Sequence, residues 1–297
     1  MLLLRIFLIT VFSFYSFITS AQRNKSKSNY NTDVLFHFGP SIFQGDVASG
    51  LGFSTKKVSE IRFDNSNINI GVGINQRVSK RFGVKSNVNF LQLCGNDKWG
   101  KYKERALKFR TFSADLSLLV EYSLIHWEYA NKLNYRHHIF ISSGIAFFYY
   151  NPMGQYQGKW YSLRPLGTEG QGIIPGTKTY SRVCYSLPFN IGYRYRLNRR
   201  DMLGLEFCFR KTFTDYVDDV SGNYYDNGII AERHGAAAAY FADPNSEKMA
   251  PGMGRGNPSK GDNYSFFNMT YSRLIGVPHL KVYSKKLRWA SKRPNRI

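Results

Sequence analysis

Cysteine is scarce in this chain of 297 residues, which contains only Cys94, Cys184 and Cys208. An odd number of cysteines at these spacings matches neither a disulfide framework nor a zinc motif. We therefore expect no cofactor and no thiol-bound metal. We interpret Cys184 and Cys208 as small residues inside strands.

Long apolar runs are also lacking after the first 21 residues. Residues 1–21 combine Arg5 with an apolar run from Ile6 to Ile18 and the small residues Thr19-Ser20-Ala21, which is the pattern of a secretory signal peptide. No cysteine follows this run, which excludes a lipoprotein anchor. Residues 22–32 are polar and are predicted to be a periplasmic lead-in. Beyond them, no segment reaches the roughly 18 to 20 apolar residues of a spanning helix, which argues against a helical membrane protein.

Acidic residues are outnumbered: 41 Lys and Arg against 20 Asp and Glu give a formal net charge of +21. A charge of this size is typical of proteins that bind nucleic acid, but an exported chain without a nucleic-acid motif argues against that class. We expect anionic lipid, lipopolysaccharide phosphate or an acidic protein surface as the partner instead.

Aromatic residues, in contrast, are abundant, with 23 Phe and 21 Tyr. They recur in segments where apolar and polar residues alternate, which is the period of a strand with two unlike faces. The clearest segment alternates Ile68, Ile70 and Val72 with Asn69 and Gly71. Segments of this kind predict the strands of a membrane barrel. They begin near residues 33, 68, 82, 112, 137, 183, 203 and 264.

The connections between these eight segments alternate in length. Those near residues 79–81 and 198–201 are short, that over about 125–136 is intermediate, and those over 45–66, 92–108, 151–179 and 212–262 are long. Outer-membrane barrels alternate short periplasmic turns with long extracellular loops, whereas a soluble secreted β-sandwich has no reason to segregate its loops. We therefore predict an all-β fold, an eight-stranded antiparallel transmembrane outer-membrane β-barrel over residues 33–275, with both ends in the periplasm.

The interior of an eight-stranded barrel is filled by side chains. Both signs of charge occur at inward positions, so we expect ion pairs across the lumen and no passage for a solute. The inward charged set is Asp115, Glu121, Arg194, Glu206 and Arg210. Aromatic girdles are expected from Tyr149 and Tyr150 at the extracellular interface and from Tyr193 and Tyr195 at the periplasmic one.

The run from Arg210 to Asp226, which begins Arg210-Lys211-Thr212-Phe213-Thr214-Asp215-Tyr216, closely resembles a stretch of the PorG-like barrels of the type IX secretion system of Bacteroidota. The resemblance covers roughly residues 31–275 and is most specific in this run. Further segments that agree with it are 39–46, 147–152, 166–172 and 255–257.

This resemblance implies a non-enzymatic component of the machine that secretes adhesins, proteases and gliding-motility proteins. Its implied partners are a PorK-like lipoprotein and a PorN-like protein, which form a periplasmic ring. The barrel would anchor or stabilise that ring at the outer membrane, where it also meets lipid and lipopolysaccharide. The family defines no catalytic residues, so none is carried over to this chain.

The chain continues beyond the last predicted strand as a basic tail over residues 276–297, which contains no acid. Strand parity places this tail in the periplasm. Two interpretations remain open: a solvated, disordered tail, or a docking segment for an acidic face of the ring or for lipid headgroups. Its basic residues are Lys281, Lys285, Lys286, Arg288, Lys292, Arg293 and Arg296.

An acidic cluster follows the seventh strand, with Asp215, Asp218, Asp219 and Asp226. Several oxygens close together are what calcium prefers, but the spacing is not that of an EF-hand loop. We predict no metal and expect Asp215, Asp218 and Asp219 to form an extracellular rim cluster. In it, Asp215 and Asp219 would pair with Arg210, Lys211 or another loop.

Two other classes of function remain open from the sequence. A lipid-modifying barrel enzyme needs a serine and a histidine at the rim. No G-x-S-x-G elbow occurs, His37 is predicted inside the wall, and His137 and His138 are expected at an interface or a turn. An adhesin would use the longest loop, 212–262, where Ala236–Ala239 predicts a short helix. The same loop is also consistent with a lid folded across the barrel mouth.

Overall fold

The computed structural model describes residues 32–47, 67–79, 81–100, 102–125, 136–198 and 200–275. The predicted signal peptide, residues 22–31 of the lead-in and the basic tail lie outside the described residues. No helix in the described ranges is long and apolar enough to cross a membrane. The strands are β1 (Thr32–Gln44), β2 (Ile68–Arg77), β3 (Phe82–Asn96), β4 (Lys108–Ser123), β5 (His137–Tyr156), β6 (Lys159–Ser162), β7 (Val183–Arg196), β8 (Asp201–Thr212) and β9 (Asn263–Ile275). Two α-helices, α1 (Asn227–His234) and α2 (Ala236–Ala242), and single 3-10 turns at Asp97–Trp99, Lys103–Arg105 and Arg164–Leu166 complete the described elements.

Eight of these strands form a closed antiparallel barrel. They pair in the order β1-β2-β3-β4-β5-β7-β8-β9, and β9 pairs back onto β1, where Val34 lies opposite Arg273. β6 pairs with the end of β5, so that the two form a short hairpin. The hairpin lies at the end of the barrel with the long connections, which we call the extracellular end after the predicted topology, and the opposite end is the periplasmic end. Closure leaves no free sheet edge in the wall. The predicted eight-stranded antiparallel barrel is confirmed.

The barrel wall is apolar outside and polar inside, the reverse of a soluble protein. Ile70, Phe90 and Leu205 point outward and are 59 to 62% exposed, whereas Lys85 and Asp115 at inward positions are fully buried. A band of exposed apolar side chains around a polar interior is stable where lipid takes the place of water. The barrel is therefore a membrane-spanning barrel of the outer-membrane type.

Short and long connections alternate as predicted except in the middle of the barrel, where the β3–β4 connection, 97–107, is slightly shorter than the β4–β5 connection, 124–136. Several strands are also longer than expected. β3 extends to Asn96 and β5 to Tyr156, so the predicted loops 92–108 and 151–179 start too early. The inward face becomes apolar at this end of the wall, where Leu93 and Phe148 are buried. The alternation of polar and apolar residues that identifies a strand in the sequence is therefore lost there.

Residues 213–262, which we call the lid, fold over the extracellular mouth of the barrel. Val217, Val220 and Phe241 of the lid are buried in one apolar cluster with inward side chains of the wall such as Phe43 and Phe148. α1 packs against α2. The predicted short helix at Ala236–Ala239 lies within α2, and the interpretation of the long loop as a lid is confirmed.

Candidate functional site

Ion pairs fill the middle of the lumen. Glu121 of β4 accepts hydrogen bonds of 2.8 and 2.7 Å from Arg194 of β7. Its carboxylate also lies 3.8 Å from the Nζ of Lys85, which forms a second ion pair with Glu206. These four side chains come from four different strands and are at most 3% exposed. The network therefore occupies the space that a solute would need.

A further ion pair lies toward the extracellular end of the lumen. The Nε of Arg210 donates to Oδ2 of Asp115 at 2.9 Å, and its Nη1 donates to Oδ1 of Asn190 at 2.8 Å. The hydroxyl of Tyr264 donates to the same aspartate at 2.8 Å, and the ring of Phe266 lies 4.8 Å from the guanidinium. The surroundings thus satisfy the buried charge of Arg210 on several sides.

The predicted inward set of Asp115, Glu121, Arg194, Glu206 and Arg210 is therefore confirmed, together with its pairing across the lumen. A fourth pair lies near the periplasmic end, where Arg77 and Asp33 are 2.9 Å apart and buried. Each of these acids lies against a base. The lumen is a packed interior that is nearly neutral overall.

Two histidines lie on the inner wall. His37 is buried as predicted, with Nδ1 at 3.0 Å from Oγ1 of Thr270. His138 corrects the expectation of an interface or turn residue, because it is 2% exposed and its Nε2 lies 2.8 Å from Oγ of Ser123. His137 is exposed and contacts the hydroxyl of Tyr193 at 2.6 Å. Adjacent residues of a strand point to opposite faces, so one member of a His-His pair had to face inward.

The predicted girdles contain one similar error. Tyr149 and Tyr193 face outward, and Tyr195, half-buried, lies on the same face. Tyr150 is 1% exposed, and its hydroxyl lies 3.0 Å from Oγ1 of Thr214 in the lid. The alternation of a strand prevents Tyr149 and Tyr150 from both meeting lipid.

Arg255 is the centre of the hydrogen bonding in the lid. Its Nη1 donates to Oε1 of Glu169 at 2.9 Å and to the carbonyl of Asp219 at 2.7 Å. Its other nitrogens donate to the carbonyls of Phe241 and Ala242 at 3.1 and 3.2 Å. Glu169 belongs to the connection between β6 and β7 and also accepts from two backbone N–H groups of the lid. One buried guanidinium therefore fixes that connection to the lid.

Arg105, between β3 and β4, joins further loops to the same structure. Asp97 holds it through hydrogen bonds of 2.7 and 2.8 Å. Its remaining donors reach the carbonyls of Arg255 at 2.5 Å and Asp46 at 2.8 Å. Sequence reasoning missed this role because these partners lie 150 and 59 residues away along the chain.

Two members of the predicted rim cluster, Asp218 and Asp219, are buried in the lid, and the third, Asp215, is half-buried. Asp218 is 2% exposed and accepts from the backbone N–H groups of Val47 and Val220 at 2.9 and 3.0 Å. Asp219 is 1% exposed and accepts from Oγ1 of Thr168 and from the hydroxyl of Tyr180, both at 2.6 Å. Asp219 thus contacts another loop, which is one of its three predicted partners.

The predicted pairing of Asp215 or Asp219 with Arg210 is wrong because Arg210 points into the lumen onto Asp115. Asp226, the last acid of the sequence cluster, caps α1 by accepting from the backbone N–H of Ile229 at 3.0 Å. In the described ranges, no three His, Cys, Asp or Glu side chains lie close enough together to hold a metal ion.

Burial changes the acidity of the carboxyl groups in the lid. It raises the pKa of Asp215 to about 7 and that of Asp219 to about 6. Burial also raises the pKa of Asp218 and Asp262 well above the ordinary value, and nearby carboxylates such as Asp46 add to the rise. The lid therefore contains carboxyl groups that gain or lose protons near neutral pH.

The segments that carry the family resemblance meet at the lid. Glu169 of segment 166–172 pairs with Arg255 of segment 255–257. Oδ2 of Asp46 accepts from the backbone N–H of Asn257 at 2.6 Å. Gly256 is required between them, because a Cβ there would lie 2.7 Å from the backbone carbonyl oxygen of Ser221. Segments far apart in the sequence thus form one structural unit above the lumen.

The periplasmic end of the barrel carries exposed arginines. Arg81 donates to the hydroxyl of Tyr122 at 2.6 Å, and Arg136 donates to the hydroxyl of Tyr195 at 3.2 Å. Arg273 is largely exposed and lies 3.9 Å from Asp201. We call the four exposed arginines at this end the periplasmic rim: Arg81, Arg136, Arg200 and Arg273. The basic tail, Lys281 to Arg296, lies outside the described residues.

No model of a known protein family and no curated protein matches this chain. Solved structures of small outer-membrane proteins are similar to it at low identity. The attachment invasion locus protein Ail of Yersinia pestis, solved with the heparin analogue sucrose octasulfate, is 6% identical over 83% of this chain and 99% of that one, with a TM-score of 0.40. OprG from Pseudomonas aeruginosa is 10% identical over 82% and 96%, with a TM-score of 0.39. The outer-membrane enzyme PagL is 9% identical over 82% and 99%, with a TM-score of 0.30. Likenesses at this level carry no information on activity or partners.

Proposed function

We propose that this outer-membrane barrel is a non-enzymatic component of a type IX protein secretion system. In this proposal it anchors or stabilises the periplasmic ring of the translocon, formed by a PorK-like lipoprotein and a PorN-like protein, and so supports secretion and gliding motility. The observation that carries the docking role is the periplasmic rim, which presents four exposed arginines at the end of the barrel that faces such a ring. The basic tail would add to this positive charge.

The filled lumen supports a role at the surfaces of the barrel rather than inside it. Glu121, Arg194, Lys85 and Glu206 meet in the middle of the barrel and leave their charges paired. A protein that carried solutes would need a continuous polar passage, which an eight-stranded barrel of this kind does not provide.

The placement of its serine and histidine supports a non-enzymatic role. Ser123 and His138 form a hydrogen-bonded pair, which is the first requirement of an activated serine. Both side chains are buried in the lumen, at 0 and 2% exposure, where a lipid substrate cannot reach them. We therefore propose that this contact is structural.

The proposed secretion machine is taken from the family resemblance. The run that carries this resemblance has a defined position in the structure. The run Arg210 to Asp226 begins in the lumen, where Arg210 pairs with Asp115, and continues into the lid, where Asp219 contacts the connection between β6 and β7. This run therefore connects the lid to the barrel. The docking surfaces would lie at the other end.

Crosslinking in the native envelope tests this proposal. We expect the wild-type barrel to recover both ring proteins. A variant with Arg81→Glu, Arg136→Glu, Arg200→Glu and Arg273→Glu, combined with deletion of residues 277–297, should lose them because its surface becomes acidic. A matched control replaces Lys178 and Lys260, two exposed lysines at the extracellular side, with glutamate. This control should recover both ring proteins fully. Unchanged recovery from the rim-and-tail variant, at equal amounts in the outer membrane, would contradict the proposal.

A further inference from the structure

A cavity of about 640 Å³ opens beside the lid at the extracellular face. Its walls come from three connections: Asp46 after β1, residues 102–105 between β3 and β4, and parts of the lid that include Asn245, Met249 and Asn257. Ligand pockets in proteins typically have volumes of about 300 to 1,000 Å³. This cavity therefore has the size of a binding site for a molecule of several rings.

The floor of the cavity is rigid and electrostatically satisfied. Arg105 and Arg255 form part of it, and both are at most 8% exposed. The donors of Arg105 are directed at Asp97 and at the carbonyls of Asp46 and Arg255. Those of Arg255 are directed at Glu169 and at lid carbonyls. The two guanidinium groups thus shape the site without offering their charge to an anion.

The rim of the cavity, in contrast, carries polar groups with unused hydrogen-bonding capacity. Lys103 and Glu104 are exposed and make no hydrogen bond or ion pair with other described residues. Among the described residues, the side-chain amide of Asn245 forms no hydrogen bond, and the Nδ2 of Asn257 donates none. The rim therefore offers an ammonium, a carboxylate and two amides, which are donors and acceptors in similar numbers.

An aromatic face completes the site. The ring of Tyr102 is 55% exposed, with the guanidinium of Arg105 at 5.4 Å from its centroid. The apolar side chain of Met249 also lines the cavity and is 37% exposed. A flat ring beside amides and a carboxylate suits a ligand with an apolar face and an edge of hydroxyl groups.

The charges on the rim exclude simpler ligands. A strong anion would meet Glu104 and Asp46. A cation would meet Lys103, and no acid cluster among the described residues could hold it. A purely apolar ligand would leave the ammonium, the carboxylate and the amides without partners, which costs free energy. A neutral molecule rich in hydroxyl groups satisfies all of these groups together.

We propose that this cavity binds a neutral saccharide, with one sugar ring stacked on Tyr102 and its hydroxyl groups bound by Glu104, Lys103, Asn245 and Asn257. The site lies at the end of the barrel opposite the periplasmic rim. It therefore does not depend on the proposed role in secretion, and either proposal can fail without the other. The sugar has two sources, the polysaccharide of the cell's own envelope or a glycan met outside the cell, and the site chemistry is the same for both.

Calorimetric titration of the full-length protein in detergent micelles tests the proposal. The probes are two sets of neutral oligosaccharides, one released from the cell's own surface polysaccharide and one of gluco-, manno- and galacto-trisaccharides, with a sulfated trisaccharide as the anionic comparison. We expect millimolar or tighter binding of at least one neutral probe, and the set that contains it identifies the source. Tyr102→Ala should weaken this binding about tenfold or more, which corresponds to ~1.4 kcal/mol, whereas Tyr102→Trp should preserve it.

Tyr240→Ala is the matched control, because Tyr240 is an exposed tyrosine of α2 that does not line this cavity. It should bind like the wild type. Thermal unfolding of each variant shows whether the lid remains folded, and Glu104→Gln provides a second rim variant if Tyr102→Ala does not fold. Three results would overturn the proposal: no binding of any neutral probe, binding of the sulfated probe alone, or binding by folded Tyr102→Ala that equals the wild type.

Discussion

The lumen and the lid both bury charged groups, but they neutralise them differently. In the lumen, Asp115 lies against Arg210, and Glu121 lies against Arg194. In the lid, the buried carboxyl groups of Asp218 and Asp262 accept hydrogen bonds from backbone N–H groups. Within the described ranges, neither of these two aspartates forms an ion pair.

This difference separates a fixed region from a responsive one. Removing one partner of a buried ion pair costs several kcal/mol, so these pairs fix the side chains of the lumen in place. A buried carboxyl group that faces only backbone dipoles responds to pH, because its charged form is disfavoured by burial and only partly supported by its neighbours. We therefore expect the wall to be insensitive to pH and the lid to be sensitive to it.

The largest effect is expected in the lumen, from Arg210→Met. This change leaves Asp115 buried at 0% exposure without its cation, which should lower the free energy of unfolding by about 3–5 kcal/mol. Urea unfolding in detergent micelles, followed by the heat-modifiable shift in electrophoretic mobility, measures this loss. The double variant Arg210→Met, Asp115→Leu removes both charges and should recover most of the stability. If Arg210→Met were as stable as the wild type, the ion pairs would not fix the lumen, and the contrast between lumen and lid would be wrong.

A smaller effect is expected from pH acting on the lid. The pKa of Asp219 in the folded lid, about 6, lies above that of an unfolded aspartate, about 3.9. The folded lid therefore binds more protons than the open one, and its stability falls as the pH rises from about 4 to about 7. Asp219 alone should lower the free energy of lid opening by ~2–3 kcal/mol over this range.

Hydrogen exchange of the lid's backbone N–H groups, corrected for intrinsic rates, measures this dependence. Asp219→Asn is the matched control, because the amide keeps an acceptor for Tyr180 or Thr168 and stays neutral at every pH. Its lid should show a weaker pH dependence, while the strands of the wall should exchange alike in both proteins. Faster lid opening at low pH would have the wrong sign and refute this account.

The strands were predictable because their information is local. Apolar and polar residues alternate with period two wherever lipid lies on one side and a polar lumen on the other. Ile68, Ile70 and Val72 needed no knowledge of distant residues to be placed outside. His138 and Tyr150 were misplaced although the same alternation assigns both of them inward, because their residue types are common at interfaces.

The lid was less predictable because its contacts are long-range. Arg255 pairs with Glu169 across 86 residues, and Arg105 reaches the carbonyl of Arg255 across 150. Neither partner can be inferred from spacing, because these bonds join residues that are brought together only by the folded loops. The resemblance to a known family marked the segments that meet there, but not the bonds between them.

The smallest effect is expected at the boundary of the two regions, from Tyr150→Phe. Tyr150 lies on the inner face at the upper end of β5, and its hydroxyl contacts Thr214 near the start of the lid at 3.0 Å. The ring remains packed in the apolar cluster, so only this hydrogen bond is lost, at a cost of about 1 kcal/mol. Because the bond joins wall to lid, hydrogen exchange should become about fivefold faster in the lid and stay unchanged in the wall. Thr214→Val removes the same bond and also the acceptor of the backbone N–H of Tyr216 at 3.3 Å, so its effect should be at least as large. The double variant should add little to Thr214→Val alone, since the bond between Tyr150 and Thr214 is then already lost. Additive effects of the two substitutions would show that Tyr150 and Thr214 act separately, and that the wall and the lid are not joined at this contact.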